Sequence, residues 1–127
     1  MATTAHELVL EAKSQIKEVT CEEAAALLEQ GALALDVREP EEYAAGHVPG
    51  ALNIPRGLLE FKIAGEPRLQ DRARPVLVYC KTSGRAALSA VQLQRMGFRN
   101  VVSLAGGFDL WAAESLPVVK PQPIDFE

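Results

Sequence analysis

Residues 75–96 read Pro75-Val-Leu-Val-Tyr-Cys80-Lys-Thr-Ser-Gly-Arg85-Ala-Ala-Leu-Ser-Ala-Val-Gln-Leu-Gln-Arg-Met96. A short, wholly apolar run ends at a cysteine and turns through four small or cationic residues. It then re-enters a pattern of helical period. Pro75–Cys80 is expected to be a strand buried on both faces, because it is β-rich and does not alternate. From Arg85 to Met96, the positions Ala86, Ala90 and Leu93, with the pair Leu88 and Val91, are expected to face inward. Gly97 is the C-terminal stop. Strand, loop and helix in this order form the opening of a parallel α/β unit. Cys80 then sits where such sheets bind ligands, beyond the carboxyl end of a strand.

Outward from this stretch, the same alternation recurs. Thr4-Ala-His-Glu7 and Thr20-Cys-Glu-Glu23 both carry the spacing of a capping box. Each should therefore start a helix: the first with Leu8, Ala12 and Ile16 on one face, the second running through Ala24, Leu27 and Leu28 to Gly31. Ala32–Val37 reads as a second buried strand, and Pro40-Glu-Glu-Tyr opens a brief helix with proline at its first position. Gly46–Gly50 is a loop, Ala51–Ile54 and Val101–Leu104 are strands, and Gly107–Ala113 is a last helix. The expected fold is α/β: one domain around a central, mostly parallel five-stranded sheet with helices on both faces. Residues 1–18 are read as an N-terminal helix and lead-in, 19–118 as the domain, and 119–127 as the end of an extended, proline-rich tail.

Composition narrows the function. The chain has 127 residues, 48% hydrophobic, with a formal net charge of −4, which suits a single soluble domain rather than a disordered one. No apolar run approaches the ~18 residues of a membrane span, and the first residues lack the order of a secretory signal. A cytoplasmic location is the resulting expectation. Two cysteines and two histidines cannot supply a four-thiolate zinc site, and no metal or cofactor is expected. The charge is uneven. Residues 7–42 hold ten acids against Lys13, Lys17 and Arg38, while residues 68–99 hold seven bases against Asp71 alone. The basic half contains Cys80 and suits a small anion. Nucleic acid does not fit, because the stretch lacks interleaved stacking aromatics.

The loop Lys81, Thr82, Ser83, Gly84 and Arg85 can curl with its amides converging on one point at a helix N-terminus, an arrangement that binds anions and favours a thiolate. Helix N-termini and basic neighbours lower a cysteine pKa to roughly 3.5–7.5. Cys80 is accordingly read as the nucleophile, with residues 81–85 as its binding loop and Arg56 as a candidate accessory anion contact. Cys21, among alanines and glutamates, is read as a small buried side chain. His47 is read as a structural hydrogen-bonding residue, Asp36 and Arg38 as organisers of neighbouring loops, and Trp111 as core. Leu58, Leu59, Phe61 and Ile63 suit either a pocket wall or ordinary helix packing.

Five separated motifs in order resemble a single-domain rhodanese: Val-Thr-Cys-Glu-Glu-Ala at 19–24, Leu-Asp-Val-Arg-Glu-Pro-Glu-Glu-Tyr at 35–43, Gly-His-Val-Pro-Gly-Ala-Leu-Asn-Ile-Pro at 46–55, the Cys80–Arg85 loop, and Leu-Ala-Gly-Gly-Phe-Asp-Leu-Trp at 104–111. The resemblance implies a parallel sheet wrapped by helices and a persulfide-forming cysteine, matched by Cys80, with Arg85 closing the loop. It implies sulfur transfer from thiosulfate or a persulfide to cyanide or a thiol acceptor, a small molecule or a protein. Only four residues separate Cys80 from Arg85. Phosphatase loops of related construction are longer, so a phosphatase or arsenate reductase is the lesser alternative. A sulfur-relay module working with protein partners is the nearer one.

Overall fold

Two Thr-x-x-Glu boxes start the first two helices as their spacing requires. In the computed structural model, which describes residues 2–120, Thr4 and Thr20 each accept a hydrogen bond from the amide three residues on, and Glu7 and Glu23 return it. Each reciprocal pair satisfies two otherwise orphaned amides. The helices are α1 (Ala5–Lys13) and α2 (Cys21–Glu29). Between them lies β1 (Lys17–Val19), a strand the sequence reading did not locate. Its first two residues are exposed and only Val19 is buried, so it carries no apolar run to announce it.

The remaining elements are β2 (Leu33–Asp36), α3 (Pro40–Ala45), β3 (Leu52–Asn53), α4 (Leu59–Lys62), β4 (Val76–Tyr79), α5 (Gly84–Arg95), β5 (Val101–Leu104) and α6 (Gly107–Ala113). The strands form one five-stranded sheet in the order β1-β5-β4-β2-β3, with every pairing parallel. Parallel neighbours require crossovers, and helices supply them on both faces. Leu33, Leu35, Val76, Val78 and Val101 pack with Ala86, Ala90 and Leu93 of α5 and Leu59 of α4 on one face. Ala34, Leu77, Tyr79 and Leu104 pack with α2 and with Trp111 of α6 on the other. No helix among the described residues is long and apolar enough to cross a membrane.

Three details differ from the sequence reading. Leu88 and Val91 of α5 are half-buried and line a groove against Leu8, Glu11 and Ala12 of α1, because α1 occupies the flank of α5 away from the sheet. Leu58 and Phe61 are exposed, and only Leu59 and Ile63 of that segment enter the core. The start of the tail, expected only to be extended, is docked against the domain: the Trp111 indole donates to the Pro117 carbonyl at 2.8 Å, and Leu116 and Val118 pack beneath α2 and α6. His47 and Val119 exchange both backbone hydrogen bonds, at 2.9 and 2.8 Å. The remainder of the tail, 121–127, lies outside the described residues.

Candidate active site

Three parallel strands end at one place, and their following loops converge there. Cys80 is the first residue beyond β4, buried to 1% exposure. Its Sγ accepts a hydrogen bond from the Ala86 amide at 3.3 Å, in the first turn of the twelve-residue α5. The thiol therefore lies at the positive end of that helix, where a negative charge is favoured.

The loop's curl has a visible cause. The Phe108 amide donates to the Cys80 carbonyl at 2.8 Å, and the Asp109 amide donates to the Lys81 carbonyl at 3.1 Å. Gly107, at φ +61°, lies so close that an added Cβ would be 2.3 Å from the Thr82 carbonyl oxygen. Thus the carbonyls of Cys80, Lys81 and Thr82 all turn toward the start of α6. With every peptide among the described residues trans, the amides of Lys81, Thr82 and Ser83 point the opposite way, away from the start of α6. The Gly106-Gly107 pair that makes this possible lies more than twenty residues away in sequence; the motif around it was legible, but its contact with the loop was not. Behind the loop, a Cβ on Gly84 would stand 3.4 Å from Val9, so α1 closes the back of the site.

The cations around the loop are paired. Arg85 donates from both terminal nitrogens to the Glu42 carboxylate at 2.7 and 3.0 Å. Glu42 also accepts the Glu39 amide at 3.0 Å, the helix-capping bond of α3. The hydrogen bonds from Arg85 hold the Glu42 carboxyl far below its ordinary range, at about 2. Arg85 is in turn pushed above its usual value, first by its hydrogen bonds to Glu42. Lys81 meets Asp109 at 3.0 Å on the exposed rim. Arg38, only 4% exposed, binds the fully buried Asp36 through Nε and a terminal nitrogen and donates a further bond to the Gly46 carbonyl at 2.7 Å. Its guanidinium lies 4.3 Å from the Phe108 ring centre. Beside the loop, Arg38, Glu42, Lys81, Phe108 and Asp109 line an open cleft of about 390 Å³.

Asp36 and Arg38 thus order the loops around the site, with Asn53 donating to both of their carbonyls at 3.0 and 2.9 Å. His47 stacks on Tyr43 at 3.7 Å and bonds the Tyr43 carbonyl through Nδ1, a structural arrangement. Arg56 is paired with Glu60 at 3.0 Å and lines the groove between α1 and α5, away from the cleft-lining set. Cys21 is buried at the start of α2, and burial together with Glu114 raises its thiol pKa. Glu42 and Asp109 are the cleft-lining partners of these cations that sequence reasoning missed. The surplus of bases near Cys80 concealed them, because both partners come from distant segments.

The fold and the loop define a family. The chain belongs to the rhodanese-like domain family, whose pattern it matches over residues 20–114. It is 40% identical over 98 residues to the thiosulfate sulfurtransferase GlpE of Pseudomonas fluorescens, covering 77% of this chain and 86% of that one. A sulfurtransferase of Allochromatium vinosum is 33% identical over 71% of this chain and 80% of its own length. Among solved structures, the polysulfide-sulfur transferase homodimer of Wolinella succinogenes superposes with a TM-score of 0.77 at 33% identity, covering 91% of this chain and 86% of that one. A Rhodopseudomonas palustris protein of unknown function, described as a possible tyrosine phosphatase, superposes at 0.85 with 30% identity over 94% and 96% of the two chains.

Proposed function

We propose that this protein is a sulfurtransferase of the rhodanese type that carries a sulfane sulfur on Cys80, taking it from thiosulfate or a persulfide and passing it to a thiol. The observation that carries the reading is the placement of the Cys80 Sγ. It sits under the Ala86 amide, within a loop whose other carbonyls are drawn outward to α6. In the first step the Cys80 thiolate attacks the outer sulfur of the donor. A new sulfur–sulfur bond forms as the donor's own breaks, and the electron pair leaves with sulfite or with a thiolate. The amides of Lys81, Thr82 and Ser83 face the place where the outer sulfur of the Cys80 persulfide would lie, so they stabilise its charge without rearranging. In the second step an acceptor thiolate attacks that sulfur, and Cys80 departs as the thiolate it was. Gly84 and Arg85 complete the loop. Unpaired Cys21 and Cys80 suit a reducing compartment, and we assign the protein to the cytoplasm.

Intact-mass measurement after incubation with thiosulfate or a small persulfide tests this directly. The protein is expected to gain one sulfur atom, and Cys80→Ser to gain none while Cys21→Ser still loads. No gain with any sulfane donor would overturn the proposal. Hydrolysis of an aryl phosphate without sulfur loading would point to the phosphatase alternative. Loading without steady turnover on small acceptors would point to the protein relay.

A further inference from the structure

We propose that two carboxylates, Glu42 and Asp109, set the donor class of this site by neutralising the cations at its mouth, favouring persulfides with uncharged tails over dianionic thiosulfate. The inference rests on the sulfurtransferase reading and concerns which donor that site prefers. Sequence alone placed a cluster of bases at the loop, which predicts an attractive field for any anion. Folding removes that field. Arg85 is held bidentately by Glu42, Lys81 by Asp109 and Arg38 by Asp36, so each cation beside the cleft already has its carboxylate.

Glu42 is a fixed counter-ion. Its Oε1 accepts both the Arg85 guanidinium and the Glu39 amide that caps α3, so it cannot swing aside without uncapping the helix. A donor reaching Cys80 places its outer sulfur among the loop amides and the rest of itself at the mouth. For thiosulfate the rest is a charged sulfonate, which meets Glu42 and Asp109 as readily as their partners. For a persulfide it is a carbon tail, for which Ala45 and the Phe108 ring provide apolar cleft surface. Both transfers balance without another reactant. Thiolate plus thiosulfate gives the Cys80 persulfide anion and sulfite. Thiolate plus R–S–SH gives Cys80–S–SH and the thiolate R–S⁻.

Steady-state kinetics with thiosulfate and with freshly made 2-mercaptoethanol persulfide provide the test. Glu42→Gln keeps an acceptor oxygen for the Glu39 amide while freeing Arg85. The thiosulfate KM is expected to fall about fivefold, and the persulfide KM to stay within about twofold. Asp109→Asn, on the exposed rim where folding is not at stake, should lower the thiosulfate KM in the same direction by about twofold. Glu42→Gln combined with Arg85→Gln restores a balanced mouth and should return the ratio of kcat/KM values to that of the unaltered protein. Equal shifts for both donors, a rise in the thiosulfate KM on Glu42→Gln, or a double variant that keeps the single variant's preference would each overturn the role of the carboxylates. Failure of the sulfurtransferase reading is distinguishable, because the unaltered protein would then gain no sulfur from either donor.

Discussion

The amide of Phe108 donates to the carbonyl of Cys80 at 2.8 Å, tying the last helix to the residue that ends β4. This bond and its neighbour from Asp109 to Lys81 decide which way the loop's peptides face. Under the proposed mechanism, the chemistry of the loop therefore depends on α6, a segment that contributes no nucleophile.

Gly107 carries that dependence. An alanine there would put its Cβ 2.3 to 2.7 Å from the carbonyl oxygens of Thr82, Cys80 and Lys81, at a positive φ. Gly107→Ala should destabilise the fold by about 1–3 kcal/mol. By displacing the loop it should also slow sulfur loading by on the order of tenfold or more. Gly57→Ala, where a Cβ meets nothing within 4 Å, is the matched control and should leave loading unchanged. Urea unfolding and single-turnover loading read the two effects separately.

Arg38 and Asp36 form a buried pair, and breaking it by removing one partner leaves a charge without compensation. Arg38→Ala should cost about 3–5 kcal/mol in urea unfolding. Arg38→Lys should recover only part, since an ammonium cannot reproduce the fork that reaches Asp36 and the Gly46 carbonyl together. Lys81→Ala, on the exposed rim, should stay within about 0.5 kcal/mol. Equal costs for Arg38→Ala and Lys81→Ala would contradict the structural role of the buried pair.

Glu42 gives the fold a pH signature. Its carboxyl is held at about 2 against an ordinary value of 4.5, so the pair with Arg85 stabilises the folded state fully above pH 4.5. That stabilisation is lost as the pH falls through about 2, where the folded carboxyl takes up its proton. The protein should therefore exceed Glu42→Gln in unfolding midpoint at pH 7, with the gap closing between about pH 4.5 and 2. A gap that does not change with pH would show that the ion pair is not its source.

Cys21 should behave as a packing residue. At 2% exposure, and with its thiol pKa raised, it is expected to resist iodoacetamide in the folded protein at pH 8 and to react on unfolding. Peptide mapping after alkylation reads this site by site.

Much of the architecture was legible because it rests on contacts close in sequence. The capping boxes at Thr4 and Thr20 span three residues each. The apolar runs before Asp36 and Cys80 carry the signature of strands buried on both faces, and Gly97 ends α5 where its pattern stops. The short strand β1 escaped because two of its three residues face water, and it exists through pairing with β5 rather than through its own pattern. The docking of Leu116 and Val118 escaped for a similar reason. Proline-rich composition marks the absence of helix, and only the groove beneath Trp111 shows that the segment is held.

At the candidate site the division is sharper. A cysteine placed after a buried strand and before a helix, with small residues between, follows from local pattern, and so does the family resemblance it anchors. The electrostatic state of that site does not. Arg85 and Glu42 are 43 residues apart and Lys81 and Asp109 are 28 apart, so the cations that look free along the chain are neutralised only once α3 and α6 pack beside the loop. Charge is a sum over neighbours in space. Backbone direction in a loop is likewise set by whatever accepts or donates beside it, which here is the start of α6.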